Sequence, residues 1–239
     1  MSKLLETVLS AYGGAERWRE IQSITAHQSV GGVLWGLKAS DGVVNDARIT
    51  VRPNEQWASH TPFTAPDRRS VLTPGRVAIE TVDGHVVEEL LAPRISFAGH
   101  ELATPWSRLQ LAYFAGYAMW TYLSEPVSLL LPGVRTEEIA PWIEDGETWR
   151  RLRVEYPAGI ETHSPVQTVY VDSDGLLRRR DYEVDIAGGA PSAQYISGHR
   201  QIDGVVIATS RTVSVRGDDN APIAGPVIVS ITLDDIEIA

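Results

Sequence analysis

The chain has 239 residues, 43% of them hydrophobic, and a formal charge of −10. So much apolar sequence supports a packed core rather than a disordered polymer, and the acidity argues against sequence-independent nucleic-acid binding, which needs clustered Lys and Arg to release counterions. There is no Cys, which excludes disulfides, thiolate catalysis, Cys-ligated zinc and a lipidated N-terminal Cys.

The opening Met1–Glu6 has no apolar leader core, so the cytoplasm is the expected compartment. Leu4, Leu5, Val8 and Leu9 fall at helical spacing, stopped by Gly13-Gly14, and a second short helical piece follows at 15–21. From Ile24 the period changes to two. Ile24, Ala26, Gln28 and Val30 share one face of a strand, and further strands are expected at 33–38, 44–52, 56–60, 77–82 and 85–91. Five Asp-Gly dipeptides, at Asp41, Asp83, Asp145, Asp174 and Asp203, mark turns whose twist suits antiparallel hairpins.

One helical insertion interrupts the strands. Thr104 is a candidate N-cap, Pro105 suits the first helical position, and the helix is expected to reach about Leu123. Its uncharged run, 109–124, is shorter than the roughly 20 residues of a membrane span, so a buried helix is expected and an integral membrane segment is not. A second apolar piece covers 127–131. The remainder reads as nearly continuous hairpins. Leu176, Arg178, Arg180, Tyr182, Val184 and Ile186 share a face, as do Val205, Ile207, Thr209, Arg211, Val213 and Val215. At Asp234-Asp235 the apolar face shifts to Ile236 and Ile238, the mark of a bulge. With no repeat and no linker, residues 1–239 read as one mainly β (α+β) domain.

Several stretches carry a resemblance. Leu5-Glu6-Thr7 through Ala11-Tyr12-Gly13-Gly14-Ala15-Glu16-Arg17-Trp18, Val169 through Arg179, and Tyr195 through Arg211 resemble LolA-like proteins, the bacterial lipoprotein carriers and their relatives. The aromatic stretch Tyr113–Trp120 is similar to one in an uncharacterised bacterial group without a signal peptide. The resemblance implies an antiparallel half-barrel, an unclosed β-barrel with helices packed on its concave side and an apolar cavity between. It also implies binding of acyl chains or lipid-modified partners, and it brings no catalytic residues.

Motifs for nucleotide, hydrolase or zinc chemistry are missing. His100-Glu101-Leu102-Ala103 begins like a zinc helix but continues with Thr104, and Asp172-Ser173-Asp174-Gly175 reads as a hairpin turn rather than a calcium loop. No metal or cofactor is expected. The aromatic helix offers Trp106, Tyr113, Tyr117 and Trp120 as pocket-lining residues, with plain core packing as the alternative. Arg178 either meets an anionic group at a cavity mouth or lies on a wet end of its strand.

The leading expectation is a binder of a hydrophobic small molecule or acyl chain in a half-barrel cavity closed by the aromatic helix. The alternative is a cofactor-independent isomerase, cyclase or hydrolase acting on an apolar substrate, with His163 or His199 as acid or base and Asp181 and Tyr182 on the strand between. A filled core with neither role is the third option. Both histidines are expected at the periphery, bonded to backbone. A His buried in the cavity beside Asp, Glu or Tyr would favour the enzyme.

Overall fold

The computed structural model describes residues 2–239. The chain opens with α1 (Lys3–Ala11), α2 (Ala15–Glu20), β1 (Ile24–Gly31) and α3 (Leu34–Leu37). Five strands follow, β2 (Asp46–Arg52), β3 (Trp57–Thr61), β4 (Arg68–Thr73), β5 (Arg76–Thr81) and β6 (Val86–Leu91), and then the long helix α4 (Arg108–Leu123). The second half contains β7 (Arg135–Glu144), β8 (Glu147–Glu155), β9 (Val166–Val171), β10 (Leu177–Val184), β11 (Ala190–Ile202), β12 (Val205–Val215) and β13 (Val229–Ile238).

All thirteen strands form one sheet in the order β6-β5-β4-β3-β2-β1-β13-β12-β11-β10-β9-β8-β7. Each strand except β6 and β7 pairs with its sequence neighbours, mostly through hairpins, so each half is an antiparallel meander. Pairing of β1 with β13 joins the halves and sets the start of β1 beside the end of β13. Strands β6 and β7 remain as edges, which leaves an unclosed half-barrel, and α4 carries the chain from one edge to the other.

The turn chemistry accounts for the hairpins. At Asp145-Gly146 and Asp203-Gly204 both central residues have positive φ (49° and 81°, 45° and 87°), the type I′ geometry that matches strand twist. Asp83-Gly84 and Asp174-Gly175 also join paired strands. Asp41-Gly42 forms no hairpin turn, because it turns the chain from α3 into β2 within the longer connection between the paired strands β1 and β2. The bulge expected near Asp235 is present: Thr25 pairs with Glu237 but His27 with Asp234.

The expected strand at 33–38 is instead α3. Its buried positions are Leu34, Trp35 and Lys38, a helical i, i+1, i+4 pattern rather than an alternation. Helix α4 begins later than Thr104 and Pro105 suggest. Ser107 and Gln110 form a reciprocal capping box, whereas the Thr104 hydroxyl accepts from the Glu101 N–H. Trp106 therefore precedes the helix. Strands β4 and β7 carry little periodic signal, and β7 holds Pro141 within a break in register between Ile139 and Trp142, where an edge strand tolerates proline.

Candidate functional site: a cavity beneath the long helix

Every residue of α4 from Gln110 to Leu123 is buried, so the helix must be covered on more than one side. One side lies against β2–β5. Gly116 permits that approach, since a Cβ there would stand 2.9 Å from Leu72 Cβ. Trp120 anchors the same side by donating its indole N–H to the carbonyls of Arg52 (3.0 Å) and Glu55 (2.9 Å).

The other side of α4 faces a cavity. Phe114, Ala115, Ala118, Met119 and Tyr122 recur one helical turn apart and look across free space to β1, β3 and β10–β13. The space open to a water-sized sphere is about 60 Å³, and about 770 Å³ only when the clefts around it and the open solvent at its mouth are counted. Val30, Leu102, Val184, Pro191, Val215 and Ile228 form a partly exposed apolar rim. Buried Lys38 holds one lip of this rim by donating from Nζ to the carbonyls of Glu101 (3.0 Å) and Thr104 (3.1 Å), with its ammonium 4.6 Å from the Trp106 ring centroid.

Six polar side chains reach the wall: Gln28, His60, Tyr122, His163, Tyr182 and Ser192. None of the described lining residues carries a formal charge. His163 is positioned by its own loop. Gln56 exchanges two 2.7 Å bonds with the Glu161 backbone, Arg94 donates to the Thr162 carbonyl, and the Asp185 N–H donates to the His163 carbonyl at 3.1 Å. The ring then stacks on Tyr182, and its Nε2 lies 2.8 Å from the Tyr122 hydroxyl. Burial, reinforced by Arg180 and Arg94, pushes the imidazole pKa well below its ordinary 6.5. Burial likewise raises Tyr122, and raises Tyr182 far above the usual tyrosine range.

Behind Tyr122 lies a fully buried ion cluster. Glu125 accepts from Arg180 and, at 3.0 Å, from Arg211, while Arg211 also caps α4 by donating to the Tyr122 carbonyl at 2.9 Å. Gln167 and Gln194 accept from Nη1 of Arg180 and Arg211 at 2.5 and 2.9 Å. Two cations share one carboxylate here, so each depends on the other partners of the cluster.

Of the residues singled out from sequence, Trp106, His163 and Tyr182 line the cavity, and the rest do not. Tyr113 and Tyr117 face away from the lining stripe, and the Tyr113 hydroxyl donates to Glu161. Trp120 is core. Asp181 lies on the opposite face of β10, where it holds Arg179 at 2.7 and 3.0 Å and accepts from Tyr170 at 2.6 Å. His199 meets the Tyr12 hydroxyl at 3.1 Å near α1. Arg178 is absent from the wall because a bulge intervenes. Leu177 pairs with Val171 but Arg179 with Tyr170, so Arg178 is extruded from the alternation and turns toward Asp172.

The expectation that both histidines are peripheral fails for His163, which is buried in the wall beside two tyrosines. Sequence reasoning missed Gln28, His60 and Tyr122. The alternation of β1 pointed Gln28 inward, but nothing local marked it as part of a site. Among the described residues, no group of three or more His, Asp or Glu is arranged to hold a metal ion, and no helix is long and apolar enough to cross a membrane.

No protein-family model matches the chain, and no curated protein sequence matches it. Solved structures do. A DUF1329 family protein from Desulfovibrio piger superposes with a TM-score of 0.54 at 12% identity, covering 98% of this chain and 91% of that one. A putative outer membrane lipoprotein-sorting protein domain from Vibrio parahaemolyticus gives 0.55 at 10% identity, over 98% and 91%. A LolA superfamily protein from Nitrosomonas europaea gives 0.51 at 11% identity, over 98% and 93%. The fold is therefore LolA-like, as the sequence motifs implied.

Proposed function

We propose that the chain binds a hydrophobic small molecule or acyl chain in the cavity between α4 and the concave face of the sheet. The observation that carries this reading is the unequal covering of α4. One buried side is packed against strands, while Phe114, Ala118 and Tyr122 border an apolar cavity that opens to solvent. Ligand cavities are mainly apolar with a few polar groups, which is the lining found here. The partly exposed apolar rim gives a chain-like molecule a way in. The shared fold of a domain described as lipoprotein-sorting supports the reading by analogy. Native mass spectrometry of freshly purified protein, followed by organic extraction, tests it. The expected result is an apolar adduct that extraction removes. Bare protein that also fails to bind a hydrophobic dye counts against the proposal.

One observation favours a second reading. His163 and Tyr122, 2.8 Å apart in the cavity wall, have the geometry of an acid–base pair for an isomerase, cyclase or hydrolase acting on an apolar substrate. Their environments oppose it, since burial lowers the imidazole pKa and raises the phenol pKa, away from the range where either would exchange protons readily near neutrality. Turnover of an apolar ester or enolisable ketone that is lost in His163→Gln while binding persists would establish this reading.

A further inference from the structure

The polar atoms of the cavity have a chemistry of their own. Gln28, His60 and His163 are each at most 1% exposed, and each has one polar atom with no partner among the described residues: Gln28 Oε1, His60 Nε2 and His163 Nδ1. A buried polar atom without a hydrogen bond is costly to the fold, and native structures leave few. All three side chains line the cavity, so an occupant can reach them.

Their donor and acceptor roles can be worked out from their fixed ends. Gln28 Nε2 donates to the Val44 carbonyl at 2.8 Å, which leaves Oε1 as an acceptor. Ser70 Oγ accepts from the His60 backbone N–H at 3.0 Å and has one hydrogen left to give to His60 Nδ1, 3.3 Å away. Its second lone pair can equally accept from Nδ1–H, so His60 Nε2 can donate or accept. His163 Nε2 is engaged with Tyr122, whose hydroxyl can donate or accept, so His163 Nδ1 can take either role. The set thus offers an acceptor and two adaptable groups, spread over β1, β3 and the 156–165 loop, and the unpartnered Trp106 indole N–H on the same lining is a donor.

None of these groups is a charge. The buried cations nearby stand outside the wall and are already engaged: Arg180 and Arg211 share Glu125, and Lys38 at the lip donates to the Glu101 and Thr104 carbonyls. A carboxylate or phosphate entering the cavity would shed its water and meet no cation in return, whereas a hydroxyl or carbonyl would find partners.

We infer that the cavity selects an uncharged ligand, an apolar chain or ring system bearing a neutral oxygen function such as a hydroxyl or carbonyl, over the corresponding carboxylate. The inference rests on the proposed binding function and names the class of molecule that satisfies it. Both histidines hold the neutral form the assignment needs, His60 because burial takes its pKa to about 4.

Displacement of a bound hydrophobic dye by hexadecanol, palmitate and hexadecane at mildly alkaline pH tests the inference. These share a chain and differ only in the head. Hexadecanol is expected to compete at least about tenfold better than either of the others, the equivalent of one hydrogen-bonded head against none or against an unpaired charge. Gln28→Met and His60→Leu, each checked for folding by its melting temperature, are expected to bring hexadecanol down to the level of hexadecane while dye binding persists. Palmitate competing as well as hexadecanol, hexadecane competing as well as hexadecanol, or a bound dye that none of the three displaces overturns the inference alone. Failure of the dye to bind sinks the binding function with it.

Discussion

The imidazole of His163 lies flat on the phenol of Tyr182, with ring centroids 4.0 Å apart and planes 5° from parallel. Packed this way against α4, the ring gives up hydration, and that loss has a consequence for the pH dependence of folding. His163 is held well below its ordinary 6.5 and His60 is lowered to about 4, in both cases chiefly by burial. Below about pH 6.5 the unfolded chain binds protons that these two folded sites refuse, so stability is full above that value and falls as the pH drops toward 4. For His60 alone the difference corresponds to roughly 3 kcal/mol. The half-buried His27, clamped by Asp46 and Asp234 at 2.7 Å each, has a raised pKa and the opposite sign, adding stability in acid that is lost as pH rises through its folded value. The melting temperature should fall between about pH 7 and pH 5, and His60→Gln should flatten that fall. Equal melting temperatures at both pH values contradict the assignment.

Trp120 belongs to the core. Its ring is fully buried on the strand-facing side of α4, and its N–H is shared by two carbonyls. Trp120→Ala should cost about 3–5 kcal/mol in chemical denaturation. Dye affinity of the folded fraction should change little, because the residue does not line the cavity. A large affinity loss without destabilisation would place the ring in the site instead.

Glu125 is 3% exposed and neutralises one of two buried guanidiniums. Glu125→Gln leaves both cations without a counter-charge in a dry environment, which should cost about 3–5 kcal/mol. Urea unfolding measures it. A cost under about 1 kcal/mol would mean that the cluster is solvated rather than sealed.

Ala118 separates ligand capacity from stability. Its methyl faces the cavity from the middle of the lining stripe. Ala118→Phe should occupy that space, weakening dye binding about tenfold or more, while the melting temperature holds or rises because a void has been filled. A variant that melts lower and binds the dye normally would show that the space beneath α4 is not the binding site.

The parts of this fold that were legible in sequence are those governed by local rules. Asp145-Gly146 and Asp203-Gly204 encode their hairpins through backbone conformation alone, and the apolar run of 109–124 announces a buried helix whatever surrounds it. Position within the site was less legible, because it depends on long-range geometry. Arg178 belongs by alternation to the Tyr182 face, yet one bulged residue removes it. Tyr117 and Tyr122 have the same chemistry, and only the orientation of α4 against β2–β5 decides which one reaches the cavity. His163 comes from a loop whose path is fixed by Gln56, 105 residues away in the chain, a contact with no sequence signature.

Photo-crosslinking locates the occupant directly. A long-chain alcohol carrying a diazirine in its chain, irradiated with the intact protein and mapped by peptide mass spectrometry, should label α4 and the inward positions of β12 and β13, with Val213 and Ile231 among them. Ala118→Phe should suppress those adducts. Labels confined to the outer face of the sheet, or an unchanged pattern in Ala118→Phe, would contradict a ligand held beneath the helix.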